Sequence, residues 1–302
     1  MVQQTKPGRL DVVATPIGNL DDLSPRARAA LADAQVIAAE DTRRTAQLLN
    51  ALGLAKPLVS LHEHNEKQQS GLLIERILRG ERVALVSDAG TPLLSDPGQG
   101  LVAAAIAAGI EVRPIPGPTA IATLLSACGL PTLRFAFEGF LPPKSAARQT
   151  ALRLLQFDPR TLVFFEAPHR LIETLADMKE VLGGTRQACI GRELTKLHET
   201  LYRGNLTELV AFSTQDIDIL RGEISIAVAG HAAQAADGEV FGVDPAQLQR
   251  AIEALARELP PSRAAAVIAD AFGLPRRQAY ARVLAIADRK VPAPDSDSGE
   301  KH

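Results

Sequence analysis

The sequence predicts an α/β protein with two domains and a small helical extension. Apolar strands and helices alternate five times before residue 120 of the 302-residue chain, an order typical of a mostly parallel sheet covered by helices. The alternation is less regular after that point, which indicates a second domain with a mixed sheet. Beyond Gly230 the composition changes and three short helical patterns follow. We therefore expect domains at residues 1–120 and 121–231, a helical extension at 244–290 and a disordered tail at 291–302.

The strands of the first domain are short β-rich runs bounded by polar residues, glycine or proline. They are predicted at residues 10–14, 35–39, 58–61, 83–86 and 111–115. Helices are predicted up to residue 52 and over residues 69–78, 101–108 and 118–130. The pair Ser24-Pro25 is a good N-cap and first turn for another helix. This order places each helix between one strand and the next along the chain.

The second domain and the extension are predicted from weaker patterns. Strands are expected at residues 135–140, 161–165, 188–191 and 223–229, with a helix at 148–156. Residues 231–242 lack periodicity and are interpreted as a linker, followed by helices at 245–259, 262–272 and 275–288. The last two helices are typical of a helix-turn-helix, although a small helical bundle packed on the main body would have the same pattern.

Composition excludes several classes of protein. A hydrophobic content of 46% and a charged content of 23% are those of a soluble globular protein. The polar N-terminus lacks the apolar core of a signal peptide, and the longest apolar stretch, residues 101–110, is too short to cross a bilayer. Cys128 and Cys189 fit no metal-binding spacing and are expected to be buried free thiols in a reducing compartment. These features predict a cytoplasmic protein without a membrane partner.

Four polar clusters lie where strands of the first domain end. They are Thr15-Pro-Ile-Gly-Asn19, Glu40-Asp-Thr-Arg-Arg44, His62-Glu-His-Asn65 and Ser87-Asp-Ala-Gly-Thr91. Because the carboxyl ends of parallel strands meet at one edge, the clusters predict a ligand-binding cleft. The chain has neither a G-x-G-x-x-G turn nor a G-x-x-x-x-G-K-[ST] loop, which disfavours NAD, FAD and ATP as ligands. His62 and His64 alone do not define a metal site, and no metal is predicted.

The charged residues of these and later clusters have two interpretations. Arg43 and Arg44 could pair with Glu40 and Asp41, or they could hold a phosphate backbone. The net charge of −2 gives no general attraction to nucleic acid, so a basic surface would have to be local. Residues 244–290 contain eight basic and five acidic residues, a local excess of three. Two further groups, at residues 166–170 and 192–196, could be salt bridges between domains or catalytic groups.

Six motifs resemble the tetrapyrrole methylase superfamily and, within it, the branch that methylates small-subunit ribosomal RNA. The motifs span residues 13–20, 39–43, 87–92, 116–118, 138–142 and 192–196. The resemblance implies two α/β domains with a cofactor cleft between them, S-adenosylmethionine as methyl donor, and a homodimer. It further implies that the acceptor is the 2′-hydroxyl of a cytidine ribose in the decoding region of small-subunit (16S) ribosomal RNA. Because the chain is net negative, a preshaped site in the assembled subunit is the expected substrate.

Functional residues follow from position in the family motifs. The cofactor-binding residues implied by the resemblance are Pro16, Asp88, Thr91, Pro92, Thr119, Ala120, Pro168 and Ala229. The RNA-binding candidates are Arg43, Arg44, Arg276 and Arg277. Methylation of a hydroxyl requires relief of its proton by a base or a cation, for which the candidates are Lys196, Glu193, Glu166 and His169, with Lys196 and Glu193 favoured. The alternatives are a uroporphyrinogen or precorrin C-methyltransferase, and an RNA-binding protein without activity.

Overall fold

The structure, a computed structural model, describes residues 8–215, 217–231, 245–272 and 274–287. The chain forms two compact units, one of Met1–Arg153 with Thr161–Ala229 and the other of Leu154–Arg160 with Gly230–His302. Both sheets belong to the first unit, and the boundary predicted at residue 120 falls between them. The predicted tail, and the predicted linker after His231, lie outside the described residues.

The first sheet is entirely parallel, which agrees with the expected mostly parallel sheet. Its strands are β1 (Arg9–Val13), β2 (Val36–Ala39), β3 (Leu58–Ser60), β4 (Arg82–Val86) and β5 (Glu111–Ile115). Their spatial order is β3-β2-β4-β1-β5. Each face packs into its own apolar cluster, one containing Leu31 and Ile37 and the other Leu10 and Leu85. Burial on both faces explains why β2 and residues 83–86 of β4 are apolar runs without alternation.

Helices follow these strands as the sequence predicts. They are α1 (Pro25–Asp33), α2 (Thr42–Ala51), α3 (Glu66–Leu78), α4 (Gln99–Ala107) and α5 (Ala120–Ala127). The Ser24 side chain caps α1 by accepting a hydrogen bond of 3.1 Å from the Ala27 amide. Asp41 caps α2 in the same way, with 2.8 Å between its Oδ1 and the Arg43 amide.

The second sheet is mixed, as predicted. Its strands are β6 (Phe135–Phe140), β7 (Thr161–Glu166), β8 (Gln187–Arg192), β9 (Thr200–Asn205) and β10 (Ile224–Val228). The order is β6-β7-β10-β8-β9, and β6 with β7 is the one parallel pair among these strands. The helices of this part are α6 (Ser145–Leu155), α7 (Leu171–Leu182) and α8 (Leu206–Gln215). The sequence patterns do not predict β9, α7 or α8.

The extension contains the three expected helices, α9 (Pro245–Glu258), α10 (Pro261–Phe272) and α11 (Arg276–Ala287). They share an apolar core of their own that includes Ile252, Ile268 and Val283. None of the helices in the described ranges is long and apolar enough to cross a membrane. Cys128 and Cys189 are buried and free, as predicted, and burial raises the pKa of the Cys189 thiol to about 11.

Candidate active site

A cavity of about 430 Å³ lies where the carboxyl ends of the first sheet's strands face the second sheet. The first sheet contributes residues that follow β1, β2, β4 and β5, from Ile17 to Ala120. The second sheet contributes Phe140 at the end of β6, residues 165–168 around the end of β7, and residues 222–225 around the start of β10. The volume is in the usual range for a small-molecule site. The clusters that follow β1, β2 and β4 therefore meet as the sequence predicts, whereas the fourth, residues 62–65 after β3, contributes no lining residue.

The loop after β4 forms one wall of the cavity and has an unusual backbone. Leu93 and Ser95 have left-handed φ values of 75° and 74°, which non-glycine residues rarely adopt. The Glu66 carboxylate stabilises the end of the loop by accepting hydrogen bonds from the Gly98 and Gly100 amides, at 3.2 and 2.6 Å. Strained residues held in this way are concentrated at functional sites.

Three carboxylates, Glu40, Asp88 and Asp96, line this side of the cavity. Asp88 accepts a hydrogen bond of 2.9 Å from the Asp41 amide and lies 3.6 Å from the Arg44 guanidinium. Burial raises the pKa of Glu40 above its ordinary value, and the charges of Asp88 and Asp96 add to the effect. Burial also raises the pKa of Asp96. Both groups therefore bind a proton more readily than an exposed carboxylate does.

The structure brings most of the implied cofactor-binding residues to this cavity. Those that line it are Asp88, Thr91, Thr119, Ala120 and Pro168. Pro16 and Pro92 are not lining residues but directly adjoin Ile17 and Thr91, which are.

Ala229 lies elsewhere. It follows the last residue of β10, whereas the cavity is lined by the first residues of that strand. Because β10 runs antiparallel to β7, its first residue, Ile224, pairs with Glu166 at the cavity end. The Ala229 amide instead donates to the Gln187 carbonyl, at 2.8 Å. Strand direction thus separates Ala229 from the other implied residues.

Glu166 lines the cavity, but both of its carboxylate oxygens already accept hydrogen bonds. Oε2 accepts a hydrogen bond of 2.6 Å from the Thr174 hydroxyl, and Oε1 accepts one of 2.7 Å from the Ala167 amide. Arg170 lies 3.3 Å from Oε1. These contacts attach the end of β7 to α7. His169 is exposed and is not a lining residue.

Glu193 and Lys196 form an ion cluster that reaches the cavity through Glu223. The Lys196 ammonium is 2.9 Å from Glu193 and 3.3 Å from Glu223, which is a lining residue. Burial alone would raise the pKa of Glu193, but the hydrogen bonds from Lys196 and the Glu223 amide lower it overall. Burial alone would lower the pKa of Lys196, but Glu193 and Glu223 raise it overall. Both groups are therefore charged at neutral pH.

The backbone at Gly222 and Glu223 packs closely against the Glu193 side chain and holds it in place. A Cβ at Gly222 would overlap the Glu193 carboxylate, so the glycine makes room for it. Glu193 itself has a left-handed φ of 51°. Its carboxylate accepts a hydrogen bond of 2.8 Å from the Glu223 amide. The geometry fixes the cluster beside the cavity.

The predicted RNA-binding arginines fall in two places. The Arg44 side chain lines the cavity with 60% of its surface exposed, while Arg43 is more exposed and pairs with Asp41. Arg276 and Arg277 are exposed in the first turn of α11, in the second compact unit. Across the described ranges, no group of three or more histidine, cysteine or acidic side chains could hold a metal ion.

Ser95, Asp96, Phe140 and Glu223 are among the lining residues that the sequence patterns did not single out. Asp96 lies in the same proline- and glycine-rich loop as Asp88, so loop composition was an available signal. Phe140 lies within the motif at residues 138–142. Glu223 carried no local signal, because only the pairing of β10 with β7 brings it to the cavity.

Two protein-family models together match most of the chain. Residues 9–210 match the family model of Tetrapyrrole (Corrin/Porphyrin) Methylases, and residues 242–287 match the RsmI C-terminal HTH domain. The protein named Ribosomal RNA small subunit methyltransferase I from Pseudomonas aeruginosa is 49% identical over 278 residues, which cover 92% of this chain and 97% of that protein. The protein of the same name from Escherichia coli O157:H7 is 45% identical over 277 residues, covering 92% and 95%.

Solved structures share the fold at low identity. The methyltransferase CobJ is 21% identical with a TM-score of 0.57, covering 76% of this chain and 97% of its own. Uroporphyrin-III C-methyl transferase from Thermus thermophilus, complexed with S-adenyl homocysteine, is 20% identical with a TM-score of 0.52, covering 76% and 100%. Diphthine synthase, at 18% identity, has a TM-score of 0.55 and covers 73% of this chain and 89% of its own. These likenesses agree with the two-sheet architecture.

Proposed function

Because this chain belongs to the tetrapyrrole methylase family, we propose that it transfers a methyl group from S-adenosylmethionine to a cytidine ribose 2′-hydroxyl in the decoding region of small-subunit ribosomal RNA. The chain is a ribosomal RNA methyltransferase, as are the relatives of 49% and 45% identity that align with more than nine-tenths of its length. The observation that carries the proposal is the carboxylate-lined cavity between the two sheets.

The lining of the cavity fits the donor. S-adenosylmethionine carries a sulfonium and an ammonium cation against a single carboxylate. The carboxylates of Glu40, Asp88, Asp96 and Glu223 favour such a net cation, with Arg44 as the one basic residue among the described lining residues. Apolar Ile17 and Ile224 offer a surface for the adenine ring. When bound, the donor supplies an electrophilic methyl group.

The residues of the chain must also accept the proton of the attacking hydroxyl. We propose Glu40 or Asp96 for this role, because both line the cavity and burial raises the pKa of each. Lys196 and Glu193 would then act as a charged pair that positions Glu223. Glu166 would hold the segment ending at Pro168 against the cofactor. The exposed His169 stays a candidate on sequence alone.

The proposed substrate is the assembled small subunit, and the proposed active form is a homodimer. Arg43, Arg44, Arg276 and Arg277 are exposed cations suited to phosphate contacts. The net charge of −2 favours recognition of a preshaped RNA over general RNA affinity. Light scattering of the purified protein tests the dimer.

The reaction is tested by incubating the protein with methyl-labelled S-adenosylmethionine and small subunits. The subunits are purified from cells that lack this modification. The expected result is label at one cytidine ribose of the ribosomal RNA. Absence of label, with donor binding intact, would favour a tetrapyrrole acceptor. Absence of donor binding by calorimetry would favour an RNA-binding protein without activity.

A further inference from the structure

Aromatic side chains line the mouth of the cavity and take no part in the proposed transfer of the proton or the methyl group. Phe140 and Phe165 both line the cavity, with 5.7 Å between their ring centroids in an edge-to-face arrangement. Phe165 also contacts Phe137, with 4.8 Å between their ring centroids. Phe140 nevertheless leaves 56% of its surface exposed. An exposed aromatic ring that lines a cavity mouth is available to contact a ligand.

A bulge in β6 turns Phe140 toward this cavity. Phe137 pairs with Val163, and Gly139 pairs with the next residue of β7, Phe164, so Glu138 is an extra residue in β6. Phe140 consequently pairs with Phe165 and lies on the same face as Phe137, although the two are three positions apart. In a regular strand these two side chains would point to opposite faces. Bulges commonly re-aim a side chain next to an active site.

The bulge also lies close to the loop that follows β4 of the first sheet. Gly139 has a left-handed φ of 67°, and a Cβ there would lie 3.2 Å from the Ser95 hydroxyl. Ser95 is itself in the left-handed region and lines the cavity. Two unusual backbone positions from different sheets therefore meet beside Phe140.

We propose that the Phe140 ring stacks on the base of the acceptor nucleotide, an inference that rests on the proposed function. Proteins recognise unpaired RNA by stacking extruded bases on aromatic rings and by contacting phosphates with arginine. The mouth of the cavity offers both groups, the exposed Phe140 ring and the Arg44 guanidinium, which is 60% exposed. The acceptor is therefore an unpaired nucleotide whose base leaves its stack to reach the donor.

The position of the Phe140 ring favours the acceptor base, and not the adenine of the donor, as its stacking partner. The apolar lining residues Ile17 and Ile224 are only 6% and 4% exposed, so they form the enclosed part of the cavity. Phe140 is at the solvent side, where a large substrate arrives. A donor bound first would fill the enclosed part and leave the ring accessible.

Kinetics of Phe140→Ala test the inference, with Phe135→Ala as a matched control. Phe135 belongs to the same strand and is 47% exposed, but it does not line the cavity. We expect Phe140→Ala to raise KM for unmodified small subunits about tenfold, with an unchanged donor Kd, and Phe140→Tyr to restore it. Phe135→Ala should match the wild type. Equal KM values for the two alanine variants, or a weaker donor Kd in Phe140→Ala alone, would overturn the inference.

Fluorescence provides a second measurement that does not depend on activity. The chain contains no tryptophan, so Phe140→Trp introduces a single reporter, and Phe135→Trp serves as its control. Unmodified small subunits, added with saturating donor, should quench the indole at position 140 and leave that at position 135 unchanged, after subtraction of the signal that the same subunits give with the tryptophan-free wild type. Equal responses would overturn the stacking inference. A wild type that transfers no methyl group to ribosomal RNA would reject the proposed function, while this comparison would still decide the stacking.

Discussion

Thr15 and Gly90 exchange two backbone hydrogen bonds, with the Thr15 amide 2.9 Å from the Gly90 carbonyl and the Gly90 amide 3.0 Å from the Thr15 carbonyl. This isolated antiparallel bridge joins the loops that follow β1 and β4. Gly90 has a φ of 82°, and a Cβ there would lie 3.1 Å from Ile17 Cγ2. The bridge therefore needs glycine for both its backbone conformation and its space.

Gly90→Ala should weaken donor binding about tenfold and lower the free energy of unfolding by about 1–2 kcal/mol. The left-handed φ causes the loss of stability, and displacement of Ile17 causes the loss of affinity. Calorimetry and urea denaturation measure the two effects. Gly80→Ala is the matched control, because Gly80 has a φ of 95° with open space around its Cβ position. Equal donor affinity in the two variants would contradict the role of the Gly90 site.

Glu40→Gln should stabilise the protein at neutral pH and impair methyl transfer. Because burial raises the pKa of Glu40 above 4.5, the folded protein binds this proton more tightly than the unfolded chain. Folding stability is consequently lost as pH rises from 4.5 through the raised pKa, and glutamine removes that loss. We expect about 0.5–1 kcal/mol of added stability at pH 7, shrinking toward pH 4. Urea denaturation at both pH values measures it.

The same variant should lower kcat by about 100-fold if Glu40 accepts the proton. Glu75→Gln, on an exposed part of α3, is the control and should change neither stability nor turnover appreciably. A destabilised Glu40→Gln protein at pH 7 would show that the buried charge is better stabilised than the contacts indicate. Unchanged kcat would leave Asp96 as the proton acceptor.

Lys196→Ala should lose methyl transfer by about 100-fold while it retains donor binding. Removal of the ammonium leaves Glu193 and Glu223 without their common counter-ion, so the Glu223 carboxylate no longer keeps its place at the cavity. Lys196→Arg should recover part of the turnover. Single-turnover kinetics and calorimetry separate the two effects, with exposed Lys179→Ala as control. Wild-type turnover in Lys196→Ala would remove this cluster from the mechanism.

Arg276→Ala with Arg277→Ala should weaken binding to ribosomal RNA and leave donor affinity unchanged. Each lost phosphate contact lowers the slope of log K against log salt by about one, so the double variant should lose about two. Arg257→Ala with Arg263→Ala is the matched control, because it removes equal charge from exposed positions in α9 and α10. The same slope in both double variants would mean that net charge, and not the start of α11, governs binding.

The first sheet and the extension were predictable from local patterns. The five parallel strands lie within one residue of the predicted ranges. Burial on both faces makes β2 and residues 83–86 of β4 uninterrupted apolar runs, which are recognisable in the sequence. The Ser24 cap and the stops at proline and glycine likewise act through neighbouring backbone atoms. By contrast, β9 is a partly exposed edge strand with the mixed sequence Thr-Leu-Tyr-Arg-Gly-Asn. Only its pairing with β8 makes it a strand.

The sequence by itself determined that the loops after β1, β2 and β4 meet at the cavity, because polar residues that end parallel strands lie at one sheet edge. Tertiary structure decided which side chains reach the cavity. The antiparallel direction of β10 brings Glu223 there and leaves Ala229 at the far end of the strand. The bulge at Gly139 turns Phe140 to the cavity, and burial beside Asp88 raises the pKa of Glu40. Strand direction, register and desolvation all arise from contacts between distant parts of the chain, which local sequence does not specify.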